Sequence, residues 1–165
     1  MKRLGKVNGK LEIAFEPHEV EFLLGLSHKI PQALEAAGNR RLFPCHTEDR
    51  ALDQELRDWL HPELKAQRQE RVSFFQRELQ VAFKNGSVAR LDEEALDRWL
   101  GALNDLRLIF AGELNIDADD WSSRLTTEQR QSPPVRIYFY LTGLQAALLE
   151  EGFGLAQPGA EPDQA

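Results

Sequence analysis

The sequence predicts a mainly α fold, a helical bundle of about five helices with an N-terminal β-hairpin packed on it. Three observations predict this class. Residues 91–114 place apolar side chains at steps of three and four, which is the period of one helix face. The pair Asn8-Gly9 divides a short N-terminal stretch in the way that is typical of a tight hairpin turn. Proline, glycine and cap residues divide most of the remaining chain into helix-length segments.

The hairpin is predicted over residues 3–15. Both central positions of a type I′ turn need a positive φ, which Asn8-Gly9 tolerates well. Leu11, Ile13 and Phe15 alternate with polar or small residues, so one face of the second strand is expected to be buried. Because an isolated hairpin is barely stable in water, that face should lie on the helices.

A first helix is predicted to begin at Pro17, where the missing N–H costs nothing. Pro31 should interrupt or kink it, and Gly38-Asn39 should end the segment. In the connector that follows, residues 40–46, the run Leu42-Phe43-Pro44 is expected to attach the chain to the core.

Two further helices are predicted on either side of His61-Pro62, because the residue before a proline avoids helical geometry. Thr47 is the expected cap of the first, over residues 48–60, and the second should run from Pro62 to about Lys84. The side chains expected to be buried are Leu52, Leu56, Trp59, Leu60, Leu64, Val72, Phe75, Leu79 and Phe83.

The central helix is predicted over residues 91–114, antiparallel to the helix before it because the loop between them is short. Asp92 can cap it, and Glu93 and Glu94 lie where the helix dipole favours negative charge. Its expected buried face consists of Leu96, Trp99, Leu100, Leu103, Leu106, Phe110 and Leu114.

An acidic connection is predicted over residues 115–130, and a last helix should follow it, with Ser132 as its cap. This helix should run to about Glu151 and be stopped by Gly152 and Gly154. Its expected buried side chains are Val135, Tyr138, Phe139, Leu141, Leu144 and Leu148.

Composition bounds the domain organisation and the cellular location. Residues 1–152 are predicted to form one helical domain, and residues 153–165 a disordered tail rich in proline, glycine and acids. No apolar run approaches the roughly 20 residues that span a bilayer, and no secretory signal follows the basic N-terminus. With a single cysteine, no internal disulfide can form. We therefore expect a cytoplasmic protein without membrane contact. The sequence does not decide between a monomer and a homo-oligomer.

The net charge of −7 is unevenly distributed. Residues 1–90 carry 15 Lys/Arg against 13 Asp/Glu, whereas residues 91–165 carry 5 against 14. Overall acidity disfavours non-specific nucleic-acid binding, which depends on neutralising phosphates. Local basic residues still define a candidate nucleic-acid face, against the alternative of ordinary solvated surface: Lys2, Arg3, Lys6, Lys10, Arg68 and Arg71.

The sequence contains no recognisable catalytic or metal-binding motif. There is no Gly-x-Ser-x-Gly turn, and the four histidines do not form a metal-ligand pair. The stretch from Asn115 to Thr126 begins like a calcium loop but lacks its glycine and its final glutamate. Cys45 is a candidate redox thiol, because neighbouring arginines can favour its thiolate. We expect no catalytic residue, metal or cofactor.

One polar motif on the central helix stands out, formed by Asn104, Asp105 and Arg107. Asn104 and Arg107 share a face, and Asp105 points elsewhere. One interpretation is that Asp105 and Arg107 pair with neighbouring helices and fix their packing; the other is a partner-binding site. Gly101 and Gly112, which cost about 1 kcal/mol each relative to alanine, suggest close approach of a helix or backbone.

The motif resembles the signature of a bacterial family, the domain of unknown function "twenty-seventeen", whose named branch comprises AosR-type oxidative-stress transcriptional regulators. The similarity rests on Trp99-Leu100-x-x-Leu103-Asn104-Asp105-Leu106-Arg107-Leu108 and on Arg41-Leu42-Phe43-Pro44. Leu141-Thr142-x-Leu144-Gln145 resembles the family's closing motif, with Tyr140 where tryptophan is expected. The resemblance covers most of the chain.

The resemblance implies a non-catalytic regulatory or adaptor-like interaction domain, with a sigma factor, the transcription machinery or Clp-type proteolysis machinery as partner. The first alternative is a DNA-binding regulator of the oxidative-stress response, which the acidic balance disfavours. The second is a small hydrolase. Redox switching through an internal disulfide needs two cysteines, whereas this chain has only Cys45.

Overall fold

The protein was analysed as a computed structural model that describes residues 1–36, 41–43, 47–118 and 120–154. The mainly helical architecture with an N-terminal hairpin is confirmed. In chain order the principal elements are β1 Arg3–Val7, β2 Lys10–Ala14, α1 Pro17–Ser27, α2 Lys29–Glu35, α3 Arg50–Lys84, β3 Val88–Leu91, α4 Glu93–Glu113, α5 Thr127–Gln131 and α6 Pro133–Phe153.

The hairpin turns at Asn8 and Gly9, whose φ angles are 51° and 77° as a type I′ turn requires. A third strand, β3, which the sequence analysis missed, pairs antiparallel with β2 and places Leu91 opposite Leu11. The signal for β3 is short, with only Ala89 and Leu91 alternating into the core before the cap of α4.

The first helix is divided at His28, three residues before Pro31. A proline ring clashes with the carbonyl four residues earlier, and for Pro31 that residue is Ser27, the last residue of α1. Pro31 itself lies in the first turn of α2, where its missing N–H is harmless. The stop expected at Gly38-Asn39 lies outside the described residues.

The predicted boundary at His61-Pro62 is wrong, because α3 is one helix of 35 residues with Pro62 inside it. Phe43 of the connector packs on His61 with ring centroids 4.6 Å apart, so tertiary contact supports the helix where the proline weakens it. The cap is Asp49, which accepts hydrogen bonds from Ala51 and Leu52, and not Thr47.

The burial predicted for α3 is confirmed at three positions of its second half, is partial at Leu56, Leu60 and Leu64, and is wrong at Leu52, Trp59 and Phe83. Val72, Phe75 and Leu79 are buried. Leu52 is 47% exposed and Trp59 is 76% exposed, and among the described residues it is the opposite side of the first half that faces α2. Phe83, and Phe139 on the last helix, are likewise exposed.

Helix α4 lies at the centre of the structure and confirms its predicted cap, with the Asp92 carboxylate accepting from Ala95 N–H. The contacts between α4 and α3 run in opposite order along the two helices, since Arg68 meets Asp105 and Phe75 meets Trp99. The two helices are therefore antiparallel, as predicted. The predicted stripe is buried apart from Leu114, which is partly exposed at the helix end.

The last part of the chain departs from the prediction in three details. The connection over residues 115–130 contains a short 3₁₀ turn, Trp121–Arg124, and most of α5. Ser132 occupies the cap position of α6, but its hydroxyl donates back to the Gln129 carbonyl. Helix α6 continues past Gly152 to Phe153 and ends at Gly154, whose φ is 66°. Residues 155–165 of the predicted tail lie outside the described part.

Candidate functional site

The polar motif on α4 does not form one cluster. Asn104 is exposed, Asp105 is 1% exposed, and Arg107 is partly buried on another side of the helix. Successive helical residues point about 100° apart, so three neighbouring polar positions face three different surroundings. The structure therefore divides the motif into a contact with α3, a contact with α6, and an exposed amide.

Asp105 is the buried end of an arginine network. Arg68 donates from Nη1 to Asp105 Oδ1, and Arg71 Nη1 lies 3.5 Å from Oδ2. Arg68 also donates from Nη2 to the Leu42 carbonyl at 3.1 Å. Burial lowers the pKa of Arg68, and the neighbouring charge of Arg71 lowers it further. The network joins α3, α4 and the connector.

Gly101 makes room for this network. A Cβ atom added there would lie 2.5 Å from Arg71 Nε, which is closer than real Cβ contacts come. At Gly112 the nearest atom is Arg41 Cδ at 3.5 Å, an ordinary contact. The predicted close approach is therefore made by arginine side chains and not by a helix backbone.

Arg107 joins α4 to α6. Its Nε donates to Thr142 Oγ1 at 3.2 Å, and its Nη1 donates to Gln145 Oε1 at 2.5 Å. Gln145 in turn donates to the Leu100 carbonyl. Thr142 and Gln145 both belong to the closing motif quoted above, but the sequence analysis assigned them no role. Only the packing of α6 on α4 reveals that the two motifs meet.

The residues of the candidate nucleic-acid face are not brought together as a free basic surface. Arg68 and Arg71 are committed to Asp105. Three of the four hairpin cations lie beside acids, in the pairs Lys2–Glu16, Arg3–Glu12 and Lys10–Asp92. Lys6 is exposed. The charges that a phosphate backbone would need are therefore largely neutralised within the fold.

Glu12, 6% exposed on the central strand, lies between two of these arginines. Hydrogen bonds from Arg90 and then Arg3 hold the pKa of its carboxylate below the usual 4.5. A carboxylate with a depressed folded-state pKa contributes stability above its unfolded-state pKa, and this contribution is lost as the pH falls through the folded-state value. We expect the urea concentration at the unfolding midpoint to decrease as the pH is lowered below 4.5. This decrease should be smaller in Glu12→Gln than in the wild type. Equal acid sensitivity of Glu12→Gln, the wild type and the exposed-site control Glu150→Gln would contradict this prediction.

A groove of about 580 Å³ lies between α2 and the first half of α3. Oppositely charged side chains meet on its wall, where Lys65 pairs with Glu35 at 2.8 Å. Asp105, Arg107 and His18 do not line it. The groove therefore does not gather the candidate polar residues of the described chain into a reactive site. Cys45, the candidate thiol, lies outside the described residues.

The outer side of the same half-helix exposes apolar side chains, and sequence reasoning missed this surface by assigning it to the core. Leu52, Leu56 and Trp59 follow each other at helical spacing, with Leu52 and Trp59 exposed and Leu56 partly exposed. We call these three residues the α3 apolar face. An exposed tryptophan on a rigid helix offers a large contact area at little conformational cost.

No group of three or more His, Cys, Asp or Glu side chains in the described part of the chain is arranged to hold a metal ion. None of the helices in the described ranges has the length and apolar character needed to cross a membrane.

One of the comparisons with known proteins assigns the chain to a family. No curated protein and no solved structure matches the chain significantly. The family model described as "Domain of unknown function (DUF2017)" matches residues 1–151, which is most of the 165-residue chain. The protein with this arginine-bound aspartate therefore belongs to the DUF2017 family.

Proposed function

We propose that this protein is a non-catalytic regulatory or adaptor-like domain that acts by binding another protein. The observation that carries the proposal is the α3 apolar face, where Trp59 is 76% exposed. Tryptophan is enriched among the residues that dominate binding energy at protein interfaces, and a solvated one of this size is costly to leave uncovered.

The use of charge in the fold supports the same proposal. Asp105 is held by Arg68 and Arg71, and Arg107 is held by Gln145 and Thr142. In the described residues these groups join helices to one another and do not converge on a cavity. The polar side chains that hold the helices together are therefore different from those of the α3 apolar face, which is available for contact with a partner.

The regulatory setting belongs to the proposal as well. The resemblance to AosR-type oxidative-stress regulators favours a partner in transcription, such as a sigma factor, or in Clp-type proteolysis, and a cytoplasmic location. Direct DNA binding is less well supported, because the arginines that it would use are paired with acids. Cys45 stays a candidate redox thiol.

A capture experiment tests the proposal. The tagged full chain is used to recover proteins from the native host with and without nuclease treatment, and each candidate is then purified and tested for direct binding. We expect at least one protein that binds after nuclease treatment. Recovery of no directly binding protein would overturn the proposal, as would tight binding to promoter fragments that weakens steeply with salt.

A further inference from the structure

The first half of α3 separates its charges by side. Around the α3 apolar face lie the exposed acids Glu55 and Glu63, which the helical period of about 100° per residue places on the same side. The face is therefore apolar with an acidic border.

The basic residues of this segment lie on the opposite half of the helix. Arg57 bonds Asp53 at 2.6 Å, and Lys65 bonds Glu35 at 2.8 Å. Arg50 also projects away from Trp59 on the helical period. Between residues 50 and 66 no cation is placed to neutralise the acidic border, so its charge is available to a partner.

Resting on the interaction function proposed above, we propose that the α3 apolar face binds one amphipathic helix of a partner protein whose apolar stripe is flanked by lysine or arginine. Leu52 to Trp59 spans two helical turns, about 10 Å, which matches apolar anchors at spacings of three, four and seven on a facing helix. Basic flanks on that helix would meet Glu55 and Glu63.

Charge argues against the other occupants. In a two-fold antiparallel pair of this chain centred on Trp59, Glu55 would face Glu63 of the second copy, four residues on either side of the axis. Residues 155–165 carry Glu161 and Asp163 and no basic residue, so they do not complement the border. Anionic lipid and nucleic acid are repelled by the same two glutamates.

A peptide assay tests the partner chemistry without knowledge of the partner. The purified full chain is titrated against a labelled amphipathic helical Leu/Lys peptide and against the same peptide with each lysine replaced by glutamate. We expect binding of the Leu/Lys peptide only, weakening as salt is added. We also expect a loss of about tenfold or more in Trp59→Ala and in Glu55→Lys/Glu63→Lys. Phe83→Ala, which removes another exposed aromatic ring from the same helix, should bind like the wild type.

The outcomes separate this inference from the proposed function. Because the substituted side chains are exposed, the thermal midpoints of the variants should match that of the wild type, which confirms folding. No binding of the Leu/Lys peptide, or equal binding by Trp59→Ala, would overturn the inference. Self-association that Trp59→Ala abolishes would overturn it in favour of a second copy. A host protein that binds wild type and Trp59→Ala equally would overturn the inference and leave the interaction function standing.

Discussion

Replacing Asp105 by asparagine is expected to lower the free energy of unfolding by about 3–5 kcal/mol, because it removes the charge that compensates two arginines. The carboxylate is 1% exposed and accepts from Arg68, whose guanidinium is itself largely buried. The amide that replaces it carries no charge, so Arg68 and Arg71 would repel each other without an anion between them.

Urea unfolding followed by circular dichroism measures the Asp105 effect. Asp97→Asn, an exposed substitution on the same helix, is the matched control and should stay within about 0.5 kcal/mol of the wild type. Arg68→Ala should cost more than Arg71→Ala, since Arg68 is the more buried of the two and also binds the Leu42 carbonyl. A loss below about 1 kcal/mol in Asp105→Asn would mean that the network is solvated, as in a surface ion pair.

Replacing Trp99 by alanine is expected to cost about 3–5 kcal/mol, because the cavity left behind lies at the meeting point of the sheet and two helices. Trp99 is 0% exposed. Its ring stacks on Phe15 at 6.2 Å and meets the edge of Phe75 at 4.8 Å. Three separate elements, α4, α3 and the segment after β2, therefore lose contact together.

The control for Trp99 is Trp99→Phe, which keeps an aromatic ring between the same neighbours. It also removes an indole N–H that is buried without a hydrogen-bond partner among the described residues, which offsets part of the lost volume. We expect Trp99→Phe to retain most of the stability that alanine loses in the same urea series. If alanine and phenylalanine cost the same, packing of an aromatic ring between Phe15 and Phe75 does not account for the stability, which would contradict the prediction.

The long first half of α3 shows why a local pattern can mislead. Leu52, Leu56 and Trp59 follow the period of a buried helix face, and the sequence analysis placed them inside. An apolar stripe specifies that something covers it, but it does not specify whether that partner belongs to the same chain. The core of the described residues is formed by the sheet, α1, α2, α4, α6 and the second half of α3, and this stripe is left at the surface.

The predictions for Pro62 and for the β3 segment were wrong for a related reason. A proline destabilises a helix by a few kcal/mol, and packing of the connector on His61 can outweigh such a local preference. β3 has four residues, too few for a reliable alternating pattern, and it is recognisable only from its pairing with β2. In both places long-range contacts decided the local conformation.

What the sequence determined by itself is the local, periodic part of this protein: the hairpin at Asn8-Gly9, the cap at Asp92 and the buried stripe of α4. These depend on neighbours within a few residues. Only the tertiary structure decided which groups meet from distant positions, namely Asp105 with Arg68 and Arg107 with Gln145, and that Trp59 stays outside. The reason is physical: a helix period fixes the direction in which a side chain points, whereas its partner is fixed by how whole helices pack.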